Sequence, residues 1–182
     1  MLSLHEMPAA ATLADMLPFF AQLEPVFDAL PDVVFFVKDE RTRYALVNRT
    51  LASRCGCKEK RSLVGKTTEE VFPSRFASTY MAQDQAILQG GPPMMDQLEL
   101  HLYPGRQPGW CLSSKVPLRN SAGAIVGVAG ISRDLKANEK THPAYSRLAA
   151  VVQHIQDNYV QPLNLTHLAK MAGMSVAQLE RY

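Results

Sequence analysis

The hydrophobic pattern between Val33 and Ile131 changes period twice, and that order constrains the fold more than any other feature. Val33-Val34-Phe35-Phe36-Val37 is a β-branched and aromatic run. The polar stretch Lys38 to Arg43 and a second run, Tyr44 to Val47, complete a hairpin signature. From Asn48 to Gly90 the period is helical. A long helix is predicted over Arg75–Leu88, with Phe76, Tyr80 and Ile87 on one face and Gln83 and Asp84 polar in its middle. Gly90-Gly91-Pro92-Pro93 stops it. Leu98, Leu100 and Leu102 then alternate with Glu99, His101 and Tyr103, predicting a strand with a buried leucine face and a wetter polar face. Further strands are predicted over Trp110–Val116 and Ile125–Ile131, the last apolar or small on both faces and so expected to be covered on both. Two strands, several helices and three strands make an α+β domain, a five-stranded antiparallel sheet with helices on one face. An apolar cavity is expected between its two layers.

Flanking segments read differently. Leu13, Met16, Phe20, Leu23, Phe27 and Leu30 form a narrow helical stripe, which either packs on the chain's own sheet or forms a dimer seam. Pro18 and Pro25 are expected to break it into two or three pieces. Residues 136–143 are polar and read as a linker. Beyond them, Leu148, Val151, Val152, Ile155 and Tyr159 share one helical face. Asn164 stands at an N-cap, Gly173 closes a short helix, and Ser175 with Gln178 has the form of a capping box. Helix, glycine turn and helix is a helix-turn-helix order. The divisions are therefore 1–31, 32–135, 136–143 and 144–182.

Composition narrows the function classes. Charged residues are 20% of the 182 and the net charge is +2, so nothing drives the chain toward nucleic acid or acidic lipid by bulk electrostatics. The longest apolar run, Ala122 to Ile131, is too short to cross a bilayer, and no basic residue precedes Lys38, which a secretory signal would need. A cytoplasmic protein without membrane contact is expected. Cys55, Cys57 and Cys111 make no disulfide framework or zinc pattern, and the five histidines are scattered. No catalytic machinery or metal site emerges. Gly127-Val128-Ala129-Gly130 lies inside a strand pattern and is no phosphate loop.

Val37-Lys38-Asp39, Arg43-Tyr44, Val47-Asn48 and Val64-Gly65-Lys66-Thr67 leading to Val71-Phe72-Pro73 follow one another in order, and Tyr80 to Asp84, Glu99 to Leu102, Trp110, Lys115 to Leu118 and Gly127 to Asp134 extend the series. By these residues the segment 32–135 resembles a PAS domain. The resemblance implies a pocket lined by Phe36, Leu46, Asn48, Val71, Phe72, Leu100, Trp110, Leu112 and Val128; Asn48, ending a strand and starting a helix, also suits a cap. The resemblance also implies that Asp134, where such proteins often carry Asp-Ile-Thr, couples the sheet to the effector segment after it. Here the triplet is Asp134-Leu135-Lys136, and an ordinary cap is the alternative. The reactive Asn-Cys-Arg-Phe-Leu-Gln run of flavin-binding members has no match in Asn48 to Cys57. The heme histidine of another branch has none on the long helix. Neither flavin nor heme is expected, leaving a small organic ligand or none.

Residues 147–182 resemble the start of the DNA-binding domain of AraC-type transcriptional regulators. The matching residues are Val152 to Ile155, Asn158-Tyr159, Leu163 to Leu165, Leu168-Ala169, Ala172 to Ser175, Leu179 and Arg181-Tyr182. By resemblance, Ser175 caps the recognition helix, Ala177, Gln178 and Arg181 face the major groove, and Glu180 lies beside them. Arg181 is best suited to pair with guanine. Three basic residues against two acidic ones between 142 and 182 offer few phosphate contacts, so this piece alone is expected to bind DNA weakly. Together the two resemblances imply a homodimeric DNA-binding regulator, not an enzyme, whose effector acts through Asp134 and the linker on promoter DNA. The rival is a PAS domain serving as a constitutive dimerisation scaffold with a filled core.

Overall fold

A computed structural model describes residues 10–102, 108–135, 151, 154–155, 158 and 162–180. The chain forms two compact units, Met1–Asp134 and Leu135–Tyr182.

The first unit opens with helix α1 (Leu13–Asp28). Strands β1 (Val33–Asp39) and β2 (Tyr44–Val47) form the first hairpin. Helices α2 (Arg49–Arg54), α3 (Thr68–Val71) and α4 (Ser74–Leu88) come next, with a turn of 3-10 helix over Lys60–Ser62. Strands β3 (Met94–Leu102), β4 (Pro108–Arg119) and β5 (Ile125–Asp134) complete an antiparallel sheet in the order β2-β1-β5-β4-β3. The α+β architecture is thus the one the hydrophobic periods dictate. The first and last strands in sequence meet in its middle, Val33 opposite Arg133 and Asp39 opposite Gly127.

Both faces of β1 are buried, by different layers. Val34 and Phe36 join Tyr44, Val47, Leu51, Phe72, Phe76 and Tyr80 under α2–α4. Phe35 and Val37 pack with Leu46 and Ala129 against Leu13, Leu17, Phe20 and Phe27 of α1. Phe27 stacks on Phe35 with ring centroids 3.9 Å apart. The N-terminal segment is therefore part of this unit rather than a separate element.

Helix α1 is one continuous helix, with Pro18 and Pro25 inside it. The expected breaks do not occur because both prolines face outward. The carbonyls they free stand on the wet side of the helix, where water serves them. The stripe divides accordingly: Leu13, Phe20 and Phe27 meet the sheet, whereas Leu23 and Leu30 are exposed. A Thr12–Asp15 capping box starts the helix, and Lys60 ties its end by ion pairs to Glu24 and Asp28.

Gly127 marks a close approach, as a glycine inside a strand often does. A Cβ there would lie 2.4 Å from the Lys38 carbonyl oxygen and 3.4 Å from Leu13. Gly127→Ala is expected to lower stability by about 1–3 kcal/mol, read as a lower urea midpoint. An unchanged midpoint would show that β1 and β5 are not so tightly apposed.

In the second unit, α5 (Leu165–Met171) is capped by Asn164, whose Oδ1 accepts from the His167 amide at 3.1 Å. Gly173 takes φ +64°. The Ser175–Gln178 capping box opens α6 (Val176–Leu179). Leu168, Ala169 and Ala172 are buried, while Met174 and Leu179 are half-buried.

Candidate functional site

The candidate site lies between the sheet and α2–α4, where ionisable side chains stand among aromatic rings. It begins with Lys38. The parity that buries Val34 and Phe36 also carries Lys38 inward, leaving it 2% exposed. Its ammonium donates to Asp84 at 2.5 Å and to Thr68 Oγ1 at 2.6 Å. It also lies 4.5 Å from the Tyr44 ring centroid and 5.1 Å from that of Phe36. Asp84 is the polar residue in the middle of the α4 apolar face, and it is fully buried. Its second carboxylate oxygen accepts from Lys115 of β4 at 2.7 Å. Lys115 also donates to Gln83 Oε1 at 2.8 Å and to the Tyr80 carbonyl at 3.3 Å. Gln83 in turn donates to Glu99.

One carboxylate therefore serves two buried ammoniums. Burial raises the Asp84 pKa, but Lys115 and Lys38 more than offset it, so the carboxyl titrates below its ordinary range. Lys38 is brought down to about 8, chiefly by desolvation and further by Lys115, against the pull of Asp84. Burial also pushes the Tyr44 and Tyr80 hydroxyls upward and the Cys111 thiol to about 12, so none of these is a ready base or nucleophile.

A second ion pair closes the other side. Arg54, fully buried on α2, donates to Asp134 at 2.5 Å. Its Nη1 lies 3.5 Å from His101 Nδ1. The His101 ring stacks on Tyr80 at 5.5 Å and meets Phe72 edge-on at 5.4 Å. Asp134 ends β5, so this pair joins the cavity wall to the last residue of the sheet. The segment that Asp134 would cap lies outside the described residues.

Phe36, Lys38, Tyr44, Phe72, Tyr80, Glu99, His101 and Lys115 surround a void of about 20 Å³, closed by Val34, Leu51 and Ser132. That holds roughly one water molecule. Binding sites for drug-sized molecules start at about 300 Å³.

Of the pocket residues expected from sequence, Phe36 and Phe72 line this void. Leu46 does not, because it packs under α1. Leu100 is 39% exposed, and Leu112 and Trp110 share the parity of Leu118, which faces α1. Val71 is half-buried behind the helices. Val128 is buried on the cavity side but does not reach the void. Asn48 caps α2: its Oδ1 accepts from the Leu51 and Phe35 amides, and its Nδ2 donates to Phe27 and Val33. The β3 expectation is corrected in part: Leu98 is buried as expected, but the polar parity faces the cavity. Glu99 and His101 are 6% and 5% exposed because Gln83 and Arg54 supply partners.

Lys38, Asp84, Lys115 and Arg54 are absent from the site expected from sequence. Their signal is nevertheless legible as charge on an apolar parity: Lys38 succeeds Val34 and Phe36 by steps of two, and Asp84 succeeds Tyr80 by four.

In the second unit, Ser175, Ala177, Gln178 and Glu180 are exposed; Arg181 lies outside the described residues, as does the linker 136–143. No helix among the described residues is long and apolar enough to cross a membrane. Among them no group of three or more potential metal ligands occurs either.

Comparison with known proteins agrees with this architecture. The family described as the PAS fold matches residues 27–140. The methanogenesis regulatory histidine kinase FilI of Methanothrix harundinacea is 29% identical over 110 residues. That is 60% of this chain but 12% of FilI, so the chain spans a small part of that relative. VqmA bound to DPO superposes with a TM-score of 0.56 at 21% identity, over 90% of this chain and 74% of the other. The Vibrio cholerae VqmA dimer without its target DNA, described among LuxR-type receptors, gives 0.57 at 21%, over 87% and 76%. A PAS domain from Colwellia psychrerythraea gives 0.51 at 18%, over 64% and 97%. At these identities the structures share the fold.

Proposed function

The chain belongs to the PAS fold family, and from that premise we propose that it is a signal-sensing transcriptional regulator. Residues 32–135 hold a small-molecule effector and residues 144–182 begin an AraC-type DNA-reading domain. The observation that carries the sensor reading is the buried charge around the void. Lys38, Asp84 and Lys115 are each at most 3% exposed. Well-packed apolar side chains in place of such an ion cluster are often neutral or more stable. A core serving only as a scaffold gains nothing from keeping it, whereas buried, perturbed charges in a cavity are characteristic of functional sites.

The effector enters by turning ring side chains, since the void itself admits about one water. Its presence is relayed through His101 and Arg54 to Asp134, and so to the residues after β5. The effector shifts this equilibrium only by its differential affinity for the two arrangements. VqmA, which shares the fold, is described with DPO, with target DNA and as a dimer. That supports an effector, DNA and a second copy as partners here. The exposure of Ser175, Ala177, Gln178 and Glu180 supports their DNA-facing role; Arg181 enters this reading from the sequence alone.

Native mass spectrometry of freshly purified protein tests the sensor reading. A reproducible small adduct, lost on denaturation, is expected; protein without an adduct that binds operator DNA identically with and without cell extract would sink it.

The scaffold reading has its own observation. Phe19, Leu23 and Val26 are 47%, 37% and 60% exposed on the outer side of α1. Burying them against a second copy would stabilise a dimer. Phe20 belongs to the core beside Phe35, so the clean test is a Phe19→Glu, Val26→Glu double variant. It is expected to run as a monomer in sedimentation while its melting curve keeps its shape. A persistent dimer would place the seam elsewhere.

A further inference from the structure

We propose that the cavity's effector is a small, flat aromatic monoanion, its anionic oxygen on the Lys38 ammonium and its ring among Phe36, Tyr44, Phe72 and Tyr80. This deepens the sensor reading and rests on it. An ammonium has three N–H donors. Lys115 uses three acceptors: Asp84, Gln83 and the Tyr80 carbonyl. Lys38 uses two, Asp84 and Thr68. Among the described residues no third acceptor meets it, and it turns instead to the ring faces of Tyr44 and Phe36. It is 2% exposed and lines the void, so that space, with room for about one water, is where its remaining donor finds a partner.

Charge gives the sign of the missing acceptor. Lys38 and Lys115 divide one carboxylate between them, and Glu99 is bonded to Gln83 rather than to either ammonium, so neither has a carboxylate of its own. An anionic oxygen at Lys38 completes its donors and its charge together, in a site where such a bond is strong. Glu99 sets the limit, because it also lines the void and a second negative group would meet it. The rings set the shape. Phe36 and Phe72 have no polar anchor, while Tyr80 is held by donation to the Leu100 carbonyl at 2.6 Å.

Calorimetric titration of the whole chain with benzoate and with benzamide tests this. The two share ring and size and differ in charge. Benzoate is expected to bind at least about tenfold more tightly, the worth of roughly one charge-assisted hydrogen bond. Lys38→Met is expected to erase the difference, and Lys38→Arg to keep part of it. If Lys38→Met does not fold, the comparison on the unaltered chain decides alone. Equal affinities, tighter benzamide, or no heat from either at millimolar concentration would overturn the proposal. None of those results touches the sensor reading, which fails instead on the absence of any adduct or effector-dependent DNA binding.

Discussion

Asp84→Asn is expected to cost about 3–5 kcal/mol of folding stability, the cost of removing one partner from a buried ion pair. The substitution keeps size and shape and removes the charge, leaving Lys38 and Lys115 at 2.5 and 2.7 Å from a neutral group. Domains of this kind are stable by about 5–15 kcal/mol in total, so the loss is a large fraction of that stability. Chemical denaturation measures the change. The apolar triple variant Lys38→Met, Asp84→Leu, Lys115→Met is expected to recover most of the loss, because it removes the desolvation cost with the charges. Loss of effector binding in that stable triple variant would separate a functional cluster from a structural one. Acid gives an independent check. The folded-state pKa of Asp84 is depressed below its ordinary 3.8, so its contribution is fully present above that value and is lost as pH falls through the folded pKa. Asp84→Asn should therefore flatten the acid limb of the stability profile; an unchanged limb would assign acid unfolding to other carboxylates.

Arg54→Met is expected to have a comparable effect, about 3–5 kcal/mol, and a second consequence. Arg54 is fully buried and its guanidinium bridges Asp134 at 2.5 Å and His101 at 3.5 Å. Methionine fills much of the same space without the fork of donors that joins the cavity wall to the end of β5. If effector state travels by this route, a folded Arg54→Met protein should still bind effector while its DNA affinity no longer responds. Arg54→Lys should restore stability in part and the response poorly, since an ammonium cannot make the same two-sided contact. An intact response in Arg54→Met would exclude this relay, whatever the stability loss.

The elements of the sheet were legible because each strand carries its own turn chemistry and alternation. The caps of the second unit were equally legible, Asn164, Gly173 and the Ser175–Gln178 box being local features. The candidate site was harder to read. Glu99 and His101 looked wetter than Leu98 and Leu100, and hydropathy alone puts leucine inward. The inward polar parity is tolerated only because Gln83, sixteen positions away, and Arg54, forty-seven away, arrive as partners. Exposed Leu100 is the other half of the same choice. Pro18 and Pro25 misled for a related reason: their cost depends on whether the freed carbonyls reach water, and packing decides which side of α1 is wet.

By itself the sequence determined the order of strands and helices, the hairpins, the caps and the α+β class, all of which rest on interactions within a few residues. Only the tertiary structure decided which parity of β3 faces the cavity, how α1 divides between sheet and solvent, and that Lys38, Asp84 and Lys115 form one cluster. Those outcomes depend on contacts that no local pattern announces, as between Lys38 and Asp84, forty-six positions apart, and Lys115 and Asp84, thirty-one apart. A buried charge is affordable only where such a distant partner completes it.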